Sequence, residues 1–411
     1  MSSQTTKPCL ILHGGAGNVT RDNLPPDRYA LFDTALRSIY RSTSKLLDQG
    51  VSALDAATHA VMLFEDCELF NCGKGAVFTR DGTIELEASV MVTRSYHKRA
   101  CGVVLLKHVK HPILLAREML IHGETDGSGG DNGGNGDPSG GPGGAQGHCC
   151  LGGPTVEKLA KEWGLEMVDQ DYFWTKKRWE EHLRGLKGEV EQGGYLSQGT
   201  VGCVALDEQG VMCVATSTGG LTNKLSGRIG DTPTIGAGFW AEEWDESPIE
   251  SERRARRPQE GALSGLSTFT DGLRSVLGDC IPSLSGYESI PPFPSTISEK
   301  STKIRALAMS GTGNGDSFLR LAAVRTAGAI VRFSPDRSLA SAVNQIVGPG
   351  GEMQRSAGDR WGNGEGSGGI IGIELVNGKG KVVFDFNCGG MFRCWVDEVG
   401  KERVMVFRDE Y

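Results

Sequence analysis

The strongest signal in the chain lies in residues 199–231, which read GTVGCVALDEQGVMCVATSTGGLTNKLSGRIGD. Two apolar runs, 201–206 and 211–215, flank the turn-like segment DEQG at 207–210. Apolar runs on either side of a short polar, glycine-containing segment are typical of two paired strands. The sequence therefore predicts a β-hairpin here.

Thr200 is the candidate nucleophile at the open end of this hairpin. Counting outward from a turn centred near Gln209 places it opposite Ser217 or Thr218, and directly opposed Cβ atoms lie about 5 Å apart. A hydroxyl is a poor nucleophile without a base, and the hairpin and the residues up to Asp231 contain no histidine. If the bond before Thr200 is cut, the new α-amine, with an ordinary pKa of about 8, can accept the proton of the hydroxyl in the same residue.

Gly199 is compatible with such a cleavage. A residue without a Cβ atom can adopt the strained backbone that lets the Thr200 hydroxyl attack the preceding carbonyl. Taken alone, however, Gly-Thr is also an ordinary beginning of a strand. The dipeptide by itself leaves both interpretations open.

Further motifs connect the hairpin with a known family. They are LHGGAG (12–17), LFNCGKGAVFTRDGTIELEASVM (69–91), SGTGNGDSFLR (310–320) and FNCGGMFRCW (386–395). Together with GTVGCVALD and ATSTGGLTNKLSGRIGD, they closely resemble the N-terminal-nucleophile hydrolases of the plant-type L-asparaginase and isoaspartyl peptidase group. The matches run in order through the chain and leave two internal segments outside.

The resemblance implies the fold and the processing of the chain. The expected fold is α+β, a four-layer αββα sandwich in which two stacked, mainly antiparallel sheets are covered by helices; periodicity alone predicts no more than α+β. The expected domain is a single one over 1–411 that cleaves itself into an α subunit, 1–199, and a β subunit, 200–411. Relatives pair two cleaved protomers, so a homodimer is implied by analogy.

The same resemblance gives catalytic roles to four residues. Thr200 is the nucleophile, and Thr218 is the partner that hydrogen-bonds it. Thr312, through its hydroxyl, and Gly313, through its backbone N–H, stabilise the oxyanion formed when an amide carbonyl is attacked. As a bare pattern, Gly-Thr-Gly-Asn-Gly is typical of a turn, so these two roles depend on the resemblance.

Arg228 and Asp231 supply the charges that a free amino-acid head requires. A guanidinium binds an α-carboxylate through two parallel hydrogen bonds, and a carboxylate binds an α-ammonium. From the residues alone, a salt bridge between Arg228 and Asp231 is the simpler interpretation. The resemblance favours recognition of an aspartyl head, with Thr312, Gly313 and Gly315 completing the substrate site.

The implied activity is hydrolysis of the β-amide of L-asparagine and of isoaspartyl dipeptides by an amidohydrolase without an organic cofactor. Two alternatives remain. One is an N4-(β-N-acetylglucosaminyl)-L-asparaginase, because TGNGD resembles that branch of the fold. The other is an inactive scaffolding relative, against which the intact Thr200, Arg228 and Asp231 argue.

Metal binding is expected, if at all, in the loop from Phe64 to Lys74, FEDCELFNCGK. In relatives a similar loop wraps a structural sodium ion with backbone carbonyls. A loop without an ion is equally compatible with the residues, because carbonyl ligands leave no side-chain signature. Cys67 and Cys72 are poor zinc ligands, since no second Cys or His pair stands at a suitable spacing.

The glycines of LHGGAG allow another backbone segment to come close. The motif superficially resembles a phosphate-binding loop or a lipase oxyanion loop. It lacks the Lys-Ser/Thr of the first, and no G-x-S-x-G with a triad accompanies it. Nucleotide binding is therefore not expected.

Two segments interrupt the family pattern. Residues 123–148 are glycine-rich, with twelve glycines among the twenty-five residues 123–147, and such a segment cannot bury enough apolar surface to order itself. Residues 242–303 form a charged, Ser/Pro-rich insertion. Its RRARR run at 253–257 is flanked by acids, which favours a solvated loop over a nuclear address.

Composition limits the partners and the compartment. A formal net charge of -8 argues against a general nucleic-acid surface. Eleven cysteines, mostly inside apolar runs, suit buried thiols in a reducing compartment. The N-terminal apolar run is too short for a signal peptide, and no segment approaches the length of a membrane span. We expect a cytoplasmic protein that binds small aspartyl substrates and neither nucleic acid nor membrane.

Apolar spacing also predicts the outer elements. A first helix carries Leu31, Leu36 and Leu47 and ends before Gly50, and a second begins at a Ser52 cap. Further helices are expected at 155–163, 171–184, 317–333 and 335–347, and a C-terminal hairpin at 370–376 and 381–386.

Overall fold

The structure is a computed structural model that describes residues 6–94, 97–126, 145, 147–189, 199–246, 303–334 and 336–410. The strands are β1 (Cys9–Gly17), β2 (Leu86–Arg94), β3 (His97–Leu106), β4 (Cys150–Gly152), β5 (Val201–Leu206), β6 (Met212–Thr218), β7 (Phe239–Glu246), β8 (Lys303–Gly313), β9 (Gly368–Val376), β10 (Lys379–Phe386), β11 (Gly390–Val396) and β12 (Glu402–Met405). The helices are α1 (Pro26–Asp48), α2 (Ala53–Glu65), α3 (Pro112–Asp126), α4 (Gly153–Glu162), α5 (Lys176–Leu186), α6 (Gly315–Leu321), α7 (Ala323–Phe333), α8 (Leu339–Val347) and α9 (Glu352–Ala357). Short 3-10 turns occur at Gly73–Gly75, Gln170–Tyr172 and Gly358–Asn363.

The predicted central hairpin is formed by β5 and β6. The two strands pair antiparallel, with Val201 opposite Ser217 at the open end. The turn is closed by Asp207, whose Oδ1 accepts hydrogen bonds from the backbone N–H groups of Gln209 (3.1 Å) and Val211 (2.9 Å). A short acidic side chain bonded to the backbone just ahead of it is a common way to fix such a turn.

The strands form two sheets. The larger has the order β12-β11-β1-β5-β6-β2-β3-β4, and its neighbouring strands pair antiparallel except β3 with β4, which are parallel. The smaller has the order β10-β9-β8-β7. The chain is thus a mixed α/β protein with two mainly antiparallel sheets and helices.

Two apolar cores lie on opposite faces of the larger sheet. Along β1, Leu10 and Leu12 join the core beneath α1, α2 and α3, whereas Ile11 joins the core shared with β8, β9, α7 and α8. Successive strand residues point to opposite faces, so a strand that is covered on both sides must be apolar throughout. This explains the continuous apolar runs of β1, β5 and β6.

The helix predictions are confirmed in position and differ at several ends. The Ser52 hydroxyl caps α2 by accepting from Asp55 N, as predicted. The helix expected at 171–184 begins only at Lys176, because Thr175 caps it by accepting from Arg178 N. The helix expected at 335–347 begins at Leu339, after a Ser338 cap.

The prediction of a single helix at 317–333 is wrong, because two helices cover this range. Ala322 has a left-handed backbone (φ 43°, ψ 51°) and separates α6 from α7. Two backbone N–H groups in the first turn of α7 donate hydrogen bonds to carbonyls outside the helix. Val324 N donates to Ala237 O (3.3 Å), and Arg325 N donates to Gly236 O (2.7 Å). Backbone carbonyls from a distant turn therefore satisfy donors that a continuous helix would have satisfied internally.

The expected insertions are only partly within the described residues. Helix α3 includes 123–126 and strand β7 includes 242–246, so regular structure extends into the first residues of both ranges. The described residues up to Trp244 and from Ile304 onward form one compact unit. Residues 127–144 and 247–302, with the 253–257 basic run, lie outside the described part.

The cysteines of the described part are free thiols. Five of them are buried: Cys72, Cys101, Cys203, Cys213 and Cys394. Burial raises the pKa of Cys72, Cys203, Cys213 and Cys394, and a buried apolar thiol is inert. No helix within the described ranges is both long and apolar enough to cross a membrane.

Candidate active site

Thr200 lies immediately before β5 and is buried, with 6% of its surface exposed. Because Val201 pairs with Ser217, the next position outward brings Thr200 opposite Thr218, one of the two positions obtained by counting. The hairpin geometry predicted from the sequence is therefore confirmed.

The partner of the Thr200 hydroxyl is Thr232 and not Thr218. Thr200 Oγ1 lies 2.6 Å from Thr232 Oγ1. The Thr218 hydroxyl instead accepts a hydrogen bond from Gly220 N at 3.0 Å. The expectation that Thr218 bonds the nucleophile is thus not met in the uncleaved chain.

Gly199 packs against the two residues expected to form the oxyanion site. A Cβ atom at Gly199 would overlap Thr312 Oγ1 and lie 3.2 Å from Gly313 N and from Ala16 O. Thr312 Oγ1 accepts from Ala16 N (3.2 Å) and donates to Thr200 O (3.0 Å). The sequence correctly brings together Gly199, Thr200, Thr312 and Gly313.

The structure corrects the reason why position 199 is a glycine. Its φ is not among the positive values, so no left-handed strain requires it. The close approach of Thr312 requires it, because any side chain would meet that hydroxyl.

The LHGGAG motif supplies the other side of this junction. Gly15 has φ +113°, and a Cβ there would lie 2.9 Å from Gly199 N. The glycines of LHGGAG were expected to let another backbone segment come close, and that segment is Gly199. No phosphate cradle needs to be invoked.

His13 lies next to this junction but is a poor base. It is fully buried, and its Nε2 lies 2.7 Å from Ser310 Oγ. Burial, which disfavours the imidazolium, lowers the pKa of His13 to about 3. Such an imidazole binds a proton too weakly to activate a hydroxyl near neutral pH.

Arg228 and Asp231 do not form the simple salt bridge with each other. Arg228 Nη2 pairs with Asp316 Oδ1 at 3.1 Å. Asp231 is 5% exposed, and its Oδ2 has no hydrogen-bond partner in the described part of the chain. Burial is the main reason that the pKa of Asp231 rises to about 7, with Arg228 opposing the shift. A buried carboxylate oxygen without a partner is costly unless a ligand completes it.

Gly315 leaves the space between these two charges open. A Cβ atom at this position would lie 2.6 Å from Asp231 Oδ1 and 2.8 Å from Arg228 Nη2. The guanidinium and the carboxylate thus both lie against the first residue of α6, and such a pair of opposite charges is of the kind that binds the carboxylate and the ammonium of one ligand.

Two buried glutamates fix the loop that carries Arg228 and Asp231. Glu85 accepts from Gly227 N (2.9 Å) and Glu87 from Gly230 N (3.1 Å). Glu87 is fully buried and burial raises its pKa. Sequence reasoning missed both roles, because Glu-Leu-Glu at the start of a strand carries no signal for a bond to a distant loop.

The loop at 64–74 braces the open end of the hairpin, the end at which Thr200 lies. Ser217 Oγ donates to Glu65 Oε1 (2.6 Å), and Asn71 Nδ2 donates to Gly220 O (2.7 Å). A Cβ at Gly75 would overlap Phe70 O and lie 2.8 Å from Glu68 O, so two carbonyl oxygens converge there. The described residues contain no cluster of three or more His, Cys, Asp or Glu side chains that could hold a metal.

The fold and the site are those of a candidate hydrolase, and comparison with known proteins agrees with that class. The sequence pattern of the family described as Asparaginase matches residues 6–126 and 144–245. The isoaspartyl peptidase of Salmonella typhimurium is 31% identical over 397 residues, covering 95% of this chain and 95% of that protein. The isoaspartyl peptidase of Escherichia coli is 30% identical over 397 residues, covering 95% and 92%.

A eukaryotic relative is similar over part of the chain. The isoaspartyl peptidase/L-asparaginase of Danio rerio is 33% identical over 239 residues, covering 57% of this chain and 67% of that protein. This chain belongs to the asparaginase family. The resemblance inferred from the sequence motifs is confirmed.

Proposed function

We propose that this chain cleaves itself before Thr200 and then hydrolyses the β-amide of L-asparagine and of isoaspartyl dipeptides. The observation that carries the proposal is the Gly199-Thr200 junction, where Thr200 is buried and where Thr312 and Gly313 leave no room for a side chain at the position before it. The relatives named as isoaspartyl peptidases support the substrate class.

In the first step the Thr200 hydroxyl attacks the carbonyl carbon of Gly199. The Oγ1–C bond forms, the C–N bond breaks, and the hydroxyl proton is transferred to the departing nitrogen. Water hydrolyses the resulting ester. The products are chains 1–199 and 200–411, and the second begins with a free α-amine that serves as the base.

In the second step the substrate enters between the two charges. The guanidinium of Arg228 binds its α-carboxylate, and the unpartnered carboxylate of Asp231 binds its α-ammonium. Thr200 then attacks the β-carbonyl, and the Thr312 hydroxyl and Gly313 N–H stabilise the oxyanion. The amine leaves, and water hydrolyses the β-aspartyl ester. Thr218 contributes to this step by turning its hydroxyl from Gly220 towards Thr200.

The test compares three substrates with purified, incubated protein: L-asparagine, an isoaspartyl dipeptide and N4-(β-N-acetylglucosaminyl)-L-asparagine. We expect hydrolysis of the first two, with ammonia or a free amino acid as the second product. A strong preference for the sugar conjugate would assign the chain to the glycosylasparaginases. A full-length chain that hydrolyses nothing would assign it to the scaffolding alternative.

Gly315→Ala is expected to weaken substrate binding without unfolding the protein. The added methyl group would lie 2.6 Å from Asp231 Oδ1 and 2.8 Å from Arg228 Nη2, and overpacking costs about 1–3 kcal/mol, or roughly 5-fold to 150-fold in kcat/KM. Alanine is also the better helix former, so α6 does not lose stability through propensity. Steady-state kinetics on an isoaspartyl dipeptide measure the effect.

Gly362→Ala is the matched control, because nothing lies within 4 Å of a Cβ there and its φ is not positive. We expect wild-type kinetics for this variant. Unchanged kcat/KM in Gly315→Ala would show that the substrate head binds elsewhere.

We also propose that the loop at 64–74 holds a sodium ion through backbone carbonyls, among them those of Glu68 and Phe70. The convergence of these two oxygens beside Gly75 fits a hard cation that prefers oxygen ligands. Bound sodium would stabilise the hairpin end through the Ser217–Glu65 contact. Equal thermal stability in sodium and in tetramethylammonium chloride would refute this site.

The finer architecture and assembly belong to the same proposal. Helices α1, α2 and α3 beside the larger sheet, and α8 beside β9 and β10, support a four-layer αββα sandwich. We expect a homodimer of cleaved protomers, which sedimentation equilibrium tests. The buried thiols support a reducing, cytoplasmic location, which fractionation of cells tests.

A further inference from the structure

Thr232 makes the closest contact with the candidate nucleophile. Its Oγ1 lies 2.6 Å from Thr200 Oγ1, which is the one hydrogen bond of that hydroxyl within the described residues. Both side chains are buried, with 1% of Thr232 and 6% of Thr200 exposed. In a buried site, such a bond determines where the hydroxyl points.

The backbone of Thr232 is fixed by two strands of the larger sheet. Its carbonyl oxygen accepts from Ser89 Oγ on β2 (2.6 Å) and from Thr216 Oγ1 on β6 (3.3 Å). These two hydroxyls are themselves 2.6 Å apart, because Ser89 and Thr216 are paired across the strands. The hydroxyl of Thr232 is therefore presented from a rigid part of the fold.

The same turn also carries the residue proposed to bind the substrate ammonium. The carbonyl of Asp231 accepts from Thr234 N (2.9 Å) and Gly238 N (3.1 Å). Asp231 and Thr232 are adjacent, so one rigid turn places a carboxylate towards the substrate opening and a hydroxyl against Thr200.

We propose that Thr232 is the residue that positions the Thr200 hydroxyl for self-cleavage. A threonine side chain has three staggered rotamers, and a bond from Thr200 to Thr232 Oγ1 selects one of them. When Thr200 donates this bond, the lone pairs of its oxygen stay available for the Gly199 carbonyl. The inference rests on the proposed cleavage before Thr200 and assigns Thr232 to the attack that forms the ester.

The decisive variants are Thr232→Val, which removes the hydroxyl at similar volume, and Thr232→Ser, which keeps it. We expect Thr232→Val to slow cleavage by roughly 10-fold to 100-fold, since small errors in nucleophile placement have effects of this size. Thr232→Ser is expected to restore most of the rate. Denaturing gels of freshly purified chain, sampled over time, give both rates, and Thr232→Ala is measured beside them to separate loss of the hydroxyl from any disturbance by the valine methyl group.

The matched control is Thr43→Val in α1. Thr43 is fully buried, and its hydroxyl donates to Ile39 O (2.8 Å). This variant therefore also loses a buried threonine hydroxyl. The lost hydrogen bond lies within α1 and does not involve Gly199 or Thr200. We expect wild-type cleavage from it. Thermal unfolding of all variants shows whether any loss of cleavage is merely loss of fold.

Hydroxylamine separates positioning of the attack from the later hydrolysis. It cleaves an accumulated ester but does nothing for a chain in which the ester has not formed. We expect no acceleration in Thr232→Val, and full rescue by hydroxylamine would overturn the assignment. Wild-type chain that never cleaves would refute the proposed function itself, whereas wild-type and Thr232→Val chains that cleave at equal rates would refute only the role of Thr232.

Discussion

Thr200→Ala is expected to leave the protein as one chain of 411 residues and to abolish hydrolysis of β-aspartyl amides. The substitution removes the oxygen that attacks the Gly199 carbonyl, and without cleavage the α-amine that serves as the base is never released. Loss of a catalytic nucleophile lowers kcat by about 10^4-fold or more in hydrolases that use one. A denaturing gel and a dipeptide assay on the same preparation measure both effects.

Thr200→Ser provides the comparison, since it keeps the hydroxyl and would release the same kind of amine. We expect it to cleave and to retain part of the activity. Because it lacks the methyl group that restricts rotation about χ1, its rates should be lower than those of the wild type. A wild-type enzyme that is active while mass spectrometry finds residues 199 and 200 still joined would refute the mechanism.

Asp231→Asn is expected to lower kcat/KM by roughly 30-fold to 5000-fold. The carboxylate is buried and lacks a partner at Oδ2, so its bond with the substrate ammonium would be a buried charge pair, and truncating one partner of such a pair costs about 2–5 kcal/mol. The effect should appear mainly as a higher KM. Asp33→Asn, which removes a partly exposed partner of Arg37 in α1, is the control and should change neither constant.

The pH dependence should identify Asp231 as well. Its pKa is raised to about 7, so the free enzyme carries the required charge only above that pH, and kcat/KM falls as pH decreases through 7. The proposed Thr200 α-amine, which ordinarily has a pKa of about 8, must also be unprotonated. Protonation of Asp231 and protonation of this amine therefore both lower kcat/KM on the acidic side of the pH profile. We expect a limiting slope near two in the wild type and near one in Asp231→Asn. An unchanged slope would remove Asp231 from substrate recognition.

The features that could be predicted from the sequence are those with local causes. The β5–β6 hairpin followed from its apolar runs and turn, and its register placed Thr200 beside Thr218 as counted. The Ser52 cap followed from side-chain chemistry within one turn of helix. The family motifs correctly gathered Gly199, Thr312, Gly313 and the Arg228–Asp231 loop at one place.

The features that could not be predicted arise from contacts between distant segments. Thr232 stands one residue beyond the motif used for the resemblance, and no sequence pattern links its hydroxyl to Thr200. The break at Ala322 depends on carbonyls of Gly236 and Ala237, and alanine itself favours a continuous helix. Leu31 matches the helical spacing of α1, yet it is 57% exposed while its neighbour Phe32 is buried, because the position of the sheet determines which face is covered.

The strand order of the larger sheet has a consequence for the proposed cleavage before Thr200. Strands from before residue 200 alternate in this sheet with strands from after it. The earlier strands are β1 to β4, and the later ones are β5, β6, β11 and β12. Neither part of the chain therefore contains a continuous set of neighbouring strands. Separation would expose the hydrogen-bonding edges of β1 and β5 together with both apolar faces. If the chain is cleaved before Thr200 as proposed, we therefore expect the two fragments to stay associated, because each contributes strands that complete the other's part of the sheet.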